Sequence, residues 1–228
     1  MKKLTLLIGG LMMLCGSAFS QDVTALVKKV KAKLDKVNDY TADGKMKTDI
    51  AFIKAPAGNV KLLFKKPNKF KLKRENGISI LPKGGVAVNM SSVLAGDNYS
   101  VIASGESTMD DRPVKVVKLL PTDESGDVVL TTLYIDEANL LIRKSVTNTK
   151  ENGTYEMEMN YGKYASFGLP DKVVFSFSTK DYKLPKGVTL EFETGDAPKQ
   201  TLKNKKGRVE IVYTSYSINK WIADTEFK

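Results

Sequence analysis

The sequence contains no histidine and only one cysteine, Cys15, among its 228 residues. That cysteine lies inside an apolar N-terminal leader, so the chain that remains after leader cleavage is predicted to have no thiol and no disulfide. Without imidazole or thiolate groups, the common nucleophilic catalytic pairs and Cys/His metal sites cannot be built. There is also no phosphate-binding GxxxxGK[ST] motif. These absences favour a protein that is not an enzyme and needs neither metal nor cofactor.

The first twenty residues have the pattern of a cleaved signal peptide. A positive start, MKK, precedes an apolar segment from Leu4 to Leu14 that is too short to span a bilayer. Ala18-Phe19-Ser20 then forms a small-x-small cleavage site. We therefore predict a signal peptide over residues 1–20 and a single exported domain over residues 21–228.

The alternative interpretation of the leader is a lipoprotein signal that anchors the chain to a membrane through Cys15. Lipoprotein signal peptidases require small residues just before the modified cysteine. Here Met13 and Leu14 occupy those positions, and soluble export is the favoured prediction.

Positive charge exceeds negative charge, with 36 Lys and Arg against 26 Asp and Glu. Nucleic-acid-binding proteins concentrate arginine beside aromatic residues, whereas the four arginines here are scattered along the chain: Arg74, Arg112, Arg143 and Arg208. The lysines occupy outward positions of predicted strands, which is typical of a solvated, edge-protected sheet surface. We expect no nucleic-acid partner, and attraction to an anionic membrane or an acidic partner remains the alternative.

One amphipathic helix is predicted near the start of the exported chain. Leu26, Val30, Leu34 and Val37 recur at helical spacing, and lysines fill the opposite face. The predicted helix begins at Asp22 or Thr24, either of which can act as the N-cap.

Beyond Tyr40 the apolar period changes from 3.6 to two, which predicts half-buried antiparallel strands. Alternating runs occur at Met46–Phe52, Val60–Phe64, Phe70–Leu72, Ile78–Leu81, Tyr99–Ala103, Val114–Leu120, Val128–Asp136, Leu140–Thr149, Thr154–Tyr161, Lys172–Thr179, Val188–Glu193 and Arg208–Ser217. We expect a single up-and-down sheet that is strongly curved or partly closed. The segment from Gly84 to Asn98 is predicted either as a short apolar helix or loop across the mouth of the sheet, or as a strand and turn.

The inward positions of these strands combine methionine with aromatic and branched residues. They comprise Met46, Ile50, Phe52, Leu62, Phe64, Phe70, Leu72, Met157, Met159, Phe175 and Phe177. Methionine is flexible and polarisable, so a surface rich in it adapts to ligands of varied shape, such as acyl chains. The alternative is ordinary core packing beneath the helix. Because one helix is too small to cover so many apolar-faced strands, we favour a lipid-binding face.

Lys66 is the one charged residue that continues the inward positions of Leu62 and Phe64, and Pro67 follows it. A lysine at such a strand end can reach the rim of the sheet and donate to carbonyl groups of the covering helix or to an acyl ester. The alternative is a lysine that extends into solvent from a frayed strand end.

These segments resemble the LolA/LolB superfamily of periplasmic lipoprotein carriers. The residues that carry the resemblance are KAKLDKVNDYTADGKMK, from Lys31 to Lys47, and GNVKLLFKKPNKFKLK, from Gly58 to Lys73. LYIDEANLLIRKSV, from Leu133 to Val146, and the C-terminal YSINKWIADTEF are similar to a lesser degree.

The resemblance implies a mainly β fold with an N-terminal α-helix, an unclosed or half-open antiparallel β-barrel with a helical lid. It implies a periplasmic carrier that binds the acyl chains of lipid-modified proteins, as a monomer, between an inner-membrane releasing complex and an outer-membrane acceptor. Leu26, Val30 and Leu34 would form the inner face of the lid helix. In the family, an arginine commonly precedes the proline and ties the lid to the barrel; here Lys66 takes that place as the lid latch. A non-enzymatic envelope sensor or scaffold that binds a protein or an anionic glycolipid is the alternative function.

Overall fold

The computed structural model describes residues 15–49, 57–67, 69–74, 94, 98–123, 125–151, 153–178 and 206–227, with side chains from residue 23 onward except that of residue 206. In these ranges one α-helix, α1 (Cys15–Leu34), precedes ten strands. The strands are β1 (Asp39–Asp49), β2 (Gly58–Lys65), β3 (Lys69–Arg74), β4 (Tyr99–Met109), β5 (Arg112–Pro121), β6 (Val128–Asp136), β7 (Leu141–Thr149), β8 (Thr154–Asn160), β9 (Lys172–Ser178) and β10 (Lys206–Ile218). Short 3-10 helices occupy Ala165–Phe167 and Asp224–Phe227.

All ten strands belong to one antiparallel sheet in the order β3-β2-β1-β10-β9-β8-β7-β6-β5-β4. The last strand, β10, is inserted between β1 and β9, so the earliest and latest strands of the chain are neighbours. Among the described strands, β3 and β4 form the two ends of the sheet and do not pair with each other. The sheet is therefore an unclosed antiparallel barrel with one helix, which confirms the predicted fold class.

The helix is longer at its start than the sequence predicted. Asp22 and Thr24 lie inside Cys15–Leu34, so the prediction that one of them is the N-cap was wrong. Its apolar face is as predicted, because Leu26, Val30 and Leu34 are all buried. No helix in the described ranges combines the length and apolar character needed to span a membrane.

Most of the predicted strands are present, and Val128–Asp136 has the predicted bounds. The strand at Tyr99 is longer than predicted and continues to Met109 through an irregularity at Gly105, whose φ is 88°. The strands predicted at residues 78–81 and 188–193, most of the segment 84–98, and leader residues 1–14 lie outside the described residues.

Two buried apolar clusters lie on the inner face of the sheet. The first involves β1, β2, β8, β9 and β10 and contains Tyr40, Ala42, Met46, Val60, Leu62, Phe64, Tyr155, Phe175, Phe177, Val209 and Ile211, with Val37 and Leu169. The second joins α1 to β5–β9 and contains Val23, Leu26, Val27, Val30, Leu34, Leu94, Val117, Leu119, Leu133, Ile135, Ile142, Met157, Met159 and Val173. The partly buried Tyr213 packs against both clusters. The helix thus covers the second cluster directly.

A β-bulge in β10 changes which residues point inward. The register between β1 and β10 shifts between Asp43 and Gly44, which leaves Thr214 unpaired. Before the bulge Val209 and Ile211 are inward, and after it Tyr216 packs against the first cluster. A side chain at Gly44 is excluded, since its Cβ would lie 2.6 Å from the Val212 carbonyl oxygen. The close approach of the two backbones therefore requires glycine there.

Candidate functional site

Nine of the eleven predicted lipid-binding residues lie in the described ranges, and all nine belong to or pack against the two inner clusters. Met46, Leu62, Phe64, Phe175 and Phe177 are buried in the first cluster, and Phe70 and Leu72 pack against it. Met157 and Met159 are buried in the second. Ile50 and Phe52 lie outside the described residues.

The predicted lid face and two of these methionines belong to the same buried cluster. Leu26, Val30 and Leu34 share the second cluster with Met157 and Met159. Met157 and Val30 are each only 1% exposed, so the interface between helix and sheet is filled.

Lys66 connects the end of β2 to the end of the helix. Its Nζ donates to the main-chain oxygen of Asp35 at 2.7 Å and lies 3.1 Å from the Oδ1 atom of the same residue. Asp35 directly follows the last residue of α1. The contact with a helix-end carbonyl is the one the sequence anticipated, and a lysine suits it as a point charge.

Asp35 receives a second lysine from within the helix. Lys31 Nζ donates to Asp35 Oδ2 at 3.0 Å. Partial burial raises the pKa of Asp35, but the hydrogen bonds from Lys31 and Lys66 outweigh it, and the pKa is lowered. The carboxylate is therefore charged at neutral pH and holds both ammonium groups near the C-terminal end of the helix, where cations are favoured.

A second connection joins the helix to the opposite half of the sheet. Lys33 Nζ donates to the main-chain oxygen of Asn139 at 2.7 Å, in the turn between β6 and β7. That turn is fixed by Asp136, which accepts from the Asn139 side chain at 2.9 Å and from Arg143 at 3.0 Å. Burial raises the pKa of Asp136, but these donors outweigh it and lower the pKa.

Asn219, which follows β10, makes a third connection that the sequence did not indicate. Its Nδ2 donates to the Lys36 main-chain oxygen at 2.8 Å, and its Oδ1 accepts from the Asn38 N–H at 2.7 Å. Asn219 has a positive φ of 55°, a conformation that asparagine tolerates better than most residues. The last turn of α1 is thus attached to the β6–β7 turn, and the segment between α1 and β1 to the end of β2 and to the end of β10.

Sequence reasoning also missed a tyrosine cluster between the two halves of the core. Tyr216 is the centre, with ring centroids 5.5 Å from Tyr40, 4.9 Å from Tyr164 and 5.1 Å from Tyr213. The Tyr216 hydroxyl donates to the Pro170 carbonyl oxygen at 2.7 Å. Burial raises the pKa of Tyr216 and Tyr213 far above the usual tyrosine range, so both are neutral and structural.

Two open grooves lie away from these clusters. One, of about 480 Å³, is lined mainly by residues of β1, β2 and β3, including Lys45, Lys61, Lys73 and Arg74. The other, of about 530 Å³, lies beside Glu106, Arg112 and the β6–β7 turn. The predicted lipid-binding residues line neither groove. Within the described ranges, no group of three or more acidic or cysteine side chains is arranged to hold a metal ion.

The sequence matches no protein-family model and no curated protein. The fold is nevertheless similar to solved structures. A domain provisionally assigned to outer membrane lipoprotein sorting, from Vibrio parahaemolyticus, superposes with a TM-score of 0.57 at 11% identity, covering 89% of this chain and 94% of that one. A LolA superfamily protein from Nitrosomonas europaea gives 0.54 at 10% identity, covering 89% and 97%.

A third similar structure is a DUF1329 family protein from Desulfovibrio piger. It gives a TM-score of 0.58 at 10% identity, covering 92% of this chain and 97% of that one. Identities this low establish the architecture only. The chain has a LolA-like fold.

Proposed function

We propose that this LolA-like fold is a periplasmic carrier that binds the acyl chains of lipid-modified proteins and passes them towards the outer membrane. The observation that carries the proposal is the helix over the methionines: Leu26 and Val30 pack against the sheet in the cluster that holds Met157 and Met159. The similarity in fold to a lipoprotein-sorting domain adds support. The proposal includes no catalytic step.

The helix face and an acyl chain are comparable in the apolar surface that they bury. Leu26, Val27, Val30 and Leu34 are buried, and each stabilises the closed form by about 1.5–3 kcal/mol relative to exposure. An acyl chain of about sixteen carbons gains on the order of 10 kcal/mol when it leaves water. One chain can therefore replace the helix over the second cluster while the sheet stays folded.

Loading of the acyl chain needs a second component, whereas unloading needs only an acceptor. An acyl chain in a bilayer is already in hydrocarbon, so its transfer into the protein gains little free energy that could open the lid. Loading then depends on an inner-membrane releasing complex. Unloading requires only an outer-membrane acceptor with a better apolar site, and a monomeric carrier is sufficient for both steps.

Lys66 is proposed as the lid latch of this carrier. Its bonds to Asp35 hold the helix end to the end of β2, and they must break if the C-terminal end of the helix is to lift. Both groups are partly exposed, so water can take over the lost hydrogen bonds at low cost. The latch would thus set the rate of opening more than the stability of the sheet.

Native mass spectrometry of the protein expressed in the periplasm tests the carrier function. We expect part of the population to carry the mass of an acyl-bearing molecule, and added triacylated peptide to bind one-to-one. The same peptide without acyl chains is the matched control and should add no mass. A chain that never carries acyl mass, and does not remove lipoprotein from membranes, would exclude the carrier function.

A further inference from the structure

A short segment after β10 lies across the outer face of β2 and β3; we call residues Asn219–Phe227 the C-terminal strap. Ile222 is buried in it, while Trp221 is 75% exposed and adopts a positive φ of 59°. Lys65 Nζ donates to the Ile222 carbonyl oxygen at 2.8 Å and lies 5.1 Å from the centre of the Trp221 ring. The strap is therefore attached through both its main chain and its side chains.

The sheet beneath the strap places lysines directly opposite one another. In the register of β2 with β3, Lys61 faces Lys73 and Lys65 faces Lys69, with Lys71 between the two pairs. Like charges at directly opposed positions destabilise a sheet. The sequence predicted a solvated, edge-protected surface here. The side chains of Lys69 and Lys73 are 39% and 45% exposed, and Lys65, Lys69 and Lys73 each bind a carboxylate of the strap.

One strap carboxylate spans a complete lysine pair. Asp224 Oδ1 lies 2.7 Å from Lys65 Nζ and its Oδ2 lies 2.6 Å from Lys69 Nζ. Hydrogen bonds from Lys65 and then Lys69 lower the pKa of Asp224 to about 2. The carboxylate thus offsets the repulsion between two lysines that the sheet forces together.

The second strap carboxylate contacts one lysine of the other pair, Lys73. Glu226 Oε2 lies 3.0 Å from Lys73 Nζ, and the Glu226 main-chain oxygen accepts from Lys71 at 3.1 Å. The hydrogen bond from Lys73, followed by the charges of Lys73, Lys71 and Lys61, lowers the pKa of Glu226. The lysines thus contact a D-x-E segment through its carboxylates and also through its backbone carbonyls.

The surface has more positive charge than the strap neutralises. Five lysines face two strap carboxylates, with Asp43 lying 3.7 Å from Lys61, and the groove beside Lys61 and Lys73 is also lined by Lys45 and Arg74. The side chains of Asp224 and Glu226 are more than half exposed. Because exposed ion pairs contribute little net stability, the two carboxylate contacts of the strap can be exchanged for those of a competing segment.

We propose that the outer face of β2 and β3 is a docking surface for an acidic segment of another protein, and that the C-terminal strap is its intramolecular competitor. The bonds from Lys65 and Lys71 to main-chain carbonyls favour a polypeptide over a free anion or a lipid headgroup. The surface lies on the opposite side of the sheet from the apolar clusters. This inference goes beyond the carrier function and does not depend on it.

The test uses the full-length chain and a labelled peptide with the strap sequence, IADTEF, blocked at both ends. In the Asp224→Asn/Glu226→Gln variant the strap no longer competes through its carboxylates. We expect this variant to bind the peptide at least three-fold more tightly than the unaltered chain, measured by fluorescence anisotropy. The amide peptide, IANTQF, should bind at least ten-fold more weakly.

Lysine variants identify the surface. Lys65→Gln/Lys69→Gln should weaken peptide binding at least ten-fold. Lys28→Gln/Lys29→Gln removes the same charge from the exposed face of the helix and should leave binding unchanged. If both double variants behave alike, or if IANTQF binds as well as IADTEF, the proposed surface is wrong.

Strap release can be followed without a label, because Trp221 is the only tryptophan in the chain. Unlabelled IADTEF should lower the anisotropy of Trp221 and increase its quenching by acrylamide. An unchanged Trp221 signal at saturating peptide would overturn the competition. Two other results would also overturn the proposal: phosphatidylglycerol vesicles that bind through the same lysines when the peptide does not, or strap exchange that occurs only between copies of the chain.

Discussion

Lys66 has two acceptors on a single residue, Asp35, and the two differ in how they respond to pH. The Asp35 main-chain oxygen accepts at any pH, whereas the Asp35 carboxylate forms an ion pair with Lys66 only while it is ionised. Lys31 donates to the carboxylate. Substituting each lysine in turn therefore distinguishes the contact between sheet and helix, made by Lys66, from the contact at the helix end itself, made by Lys31.

We predict that Lys66→Ala accelerates lid opening with little loss of stability. Exposed ion pairs are worth about 0–1 kcal/mol, so the melting temperature should change little. Hydrogen exchange of the amides around Leu34 should become several-fold faster, and triacylated peptide should bind faster. The matched control is Lys31→Ala, which leaves the strand-to-helix bond intact. Equal effects of the two substitutions would contradict the latch.

The pH response of the latch follows from the lowered pKa of Asp35. A carboxyl group whose folded-state pKa is depressed stabilises the folded state above its ordinary pKa of 3.8, and this contribution is lost as pH falls through the folded value. Since the chain has no histidine, we expect the opening rate to be nearly constant from about pH 5.5 to 8.

Opening should then accelerate below about pH 4, as Asp35 begins to take up a proton. Carboxyl-carbon NMR titration of Asp35, combined with hydrogen exchange of the helix, measures both quantities. Asp35→Asn should abolish the pH step in opening. A step that persists in this variant would assign the pH response to another carboxyl group.

At the scale of elements, α1 and the sheet contribute equally buried valines to the two clusters. Val30 on the helix and Val209 on β10 are each 1% exposed. Truncating either removes the same atoms from a filled core. The consequences should differ, because only one of the two elements is proposed to move.

We predict that Val30→Ala and Val209→Ala separate lid motion from folding. Each should lower the free energy of unfolding by about 1–3 kcal/mol. Val30→Ala should also increase the rate of triacylated-peptide binding, because it weakens the closed form that competes with the acyl chain. Chemical denaturation and stopped-flow binding measure the two effects. Equal binding rates for the two variants would count against a lid.

The apolar periods in the sequence were sufficient to predict these elements, since Leu26, Val30 and Leu34 repeat at helical spacing and Tyr155, Met157 and Met159 alternate. The position of Tyr216 could not be predicted in the same way, because the bulge opposite Gly44 reverses the alternation in β10. Bulges arise from the fit of two backbones and leave little trace in one strand's own sequence. The contacts of Asn219 and Asp224 were missed because they join segments that are distant in the sequence, and no local pattern marks them.

At the scale of the whole molecule, the pairing of β1 with β10 connects the two halves of the sheet. Met46 is paired with Ile211 in that register, and both are buried in the first cluster. β3 forms one end of the sheet, where Leu72 is only partly buried. A defect at the centre should therefore affect more of the molecule than a defect at the end.

We predict that Ile211→Ala lowers the free energy of unfolding by about 2–4 kcal/mol and reduces hydrogen-exchange protection equally in β2 and β7. Leu72→Ala should cost less and should reduce protection mainly in β2 and β3. Exchange measured by mass spectrometry on both variants checks this. Loss of protection confined to β10 in Ile211→Ala would show that the halves are stable separately.

The position of β10 beside β1 also determines when, during synthesis, the complete sheet can form. A chain that emerges N-terminal end first presents β1–β3 early, but their central neighbour follows more than 150 residues after β1. Contacts so distant in sequence carry a large loop-closure cost and form late. Until residues 206–218 have been synthesised, β1–β3 and β4–β9 cannot be joined into one sheet. During that period their apolar faces are exposed, and aggregation competes with folding.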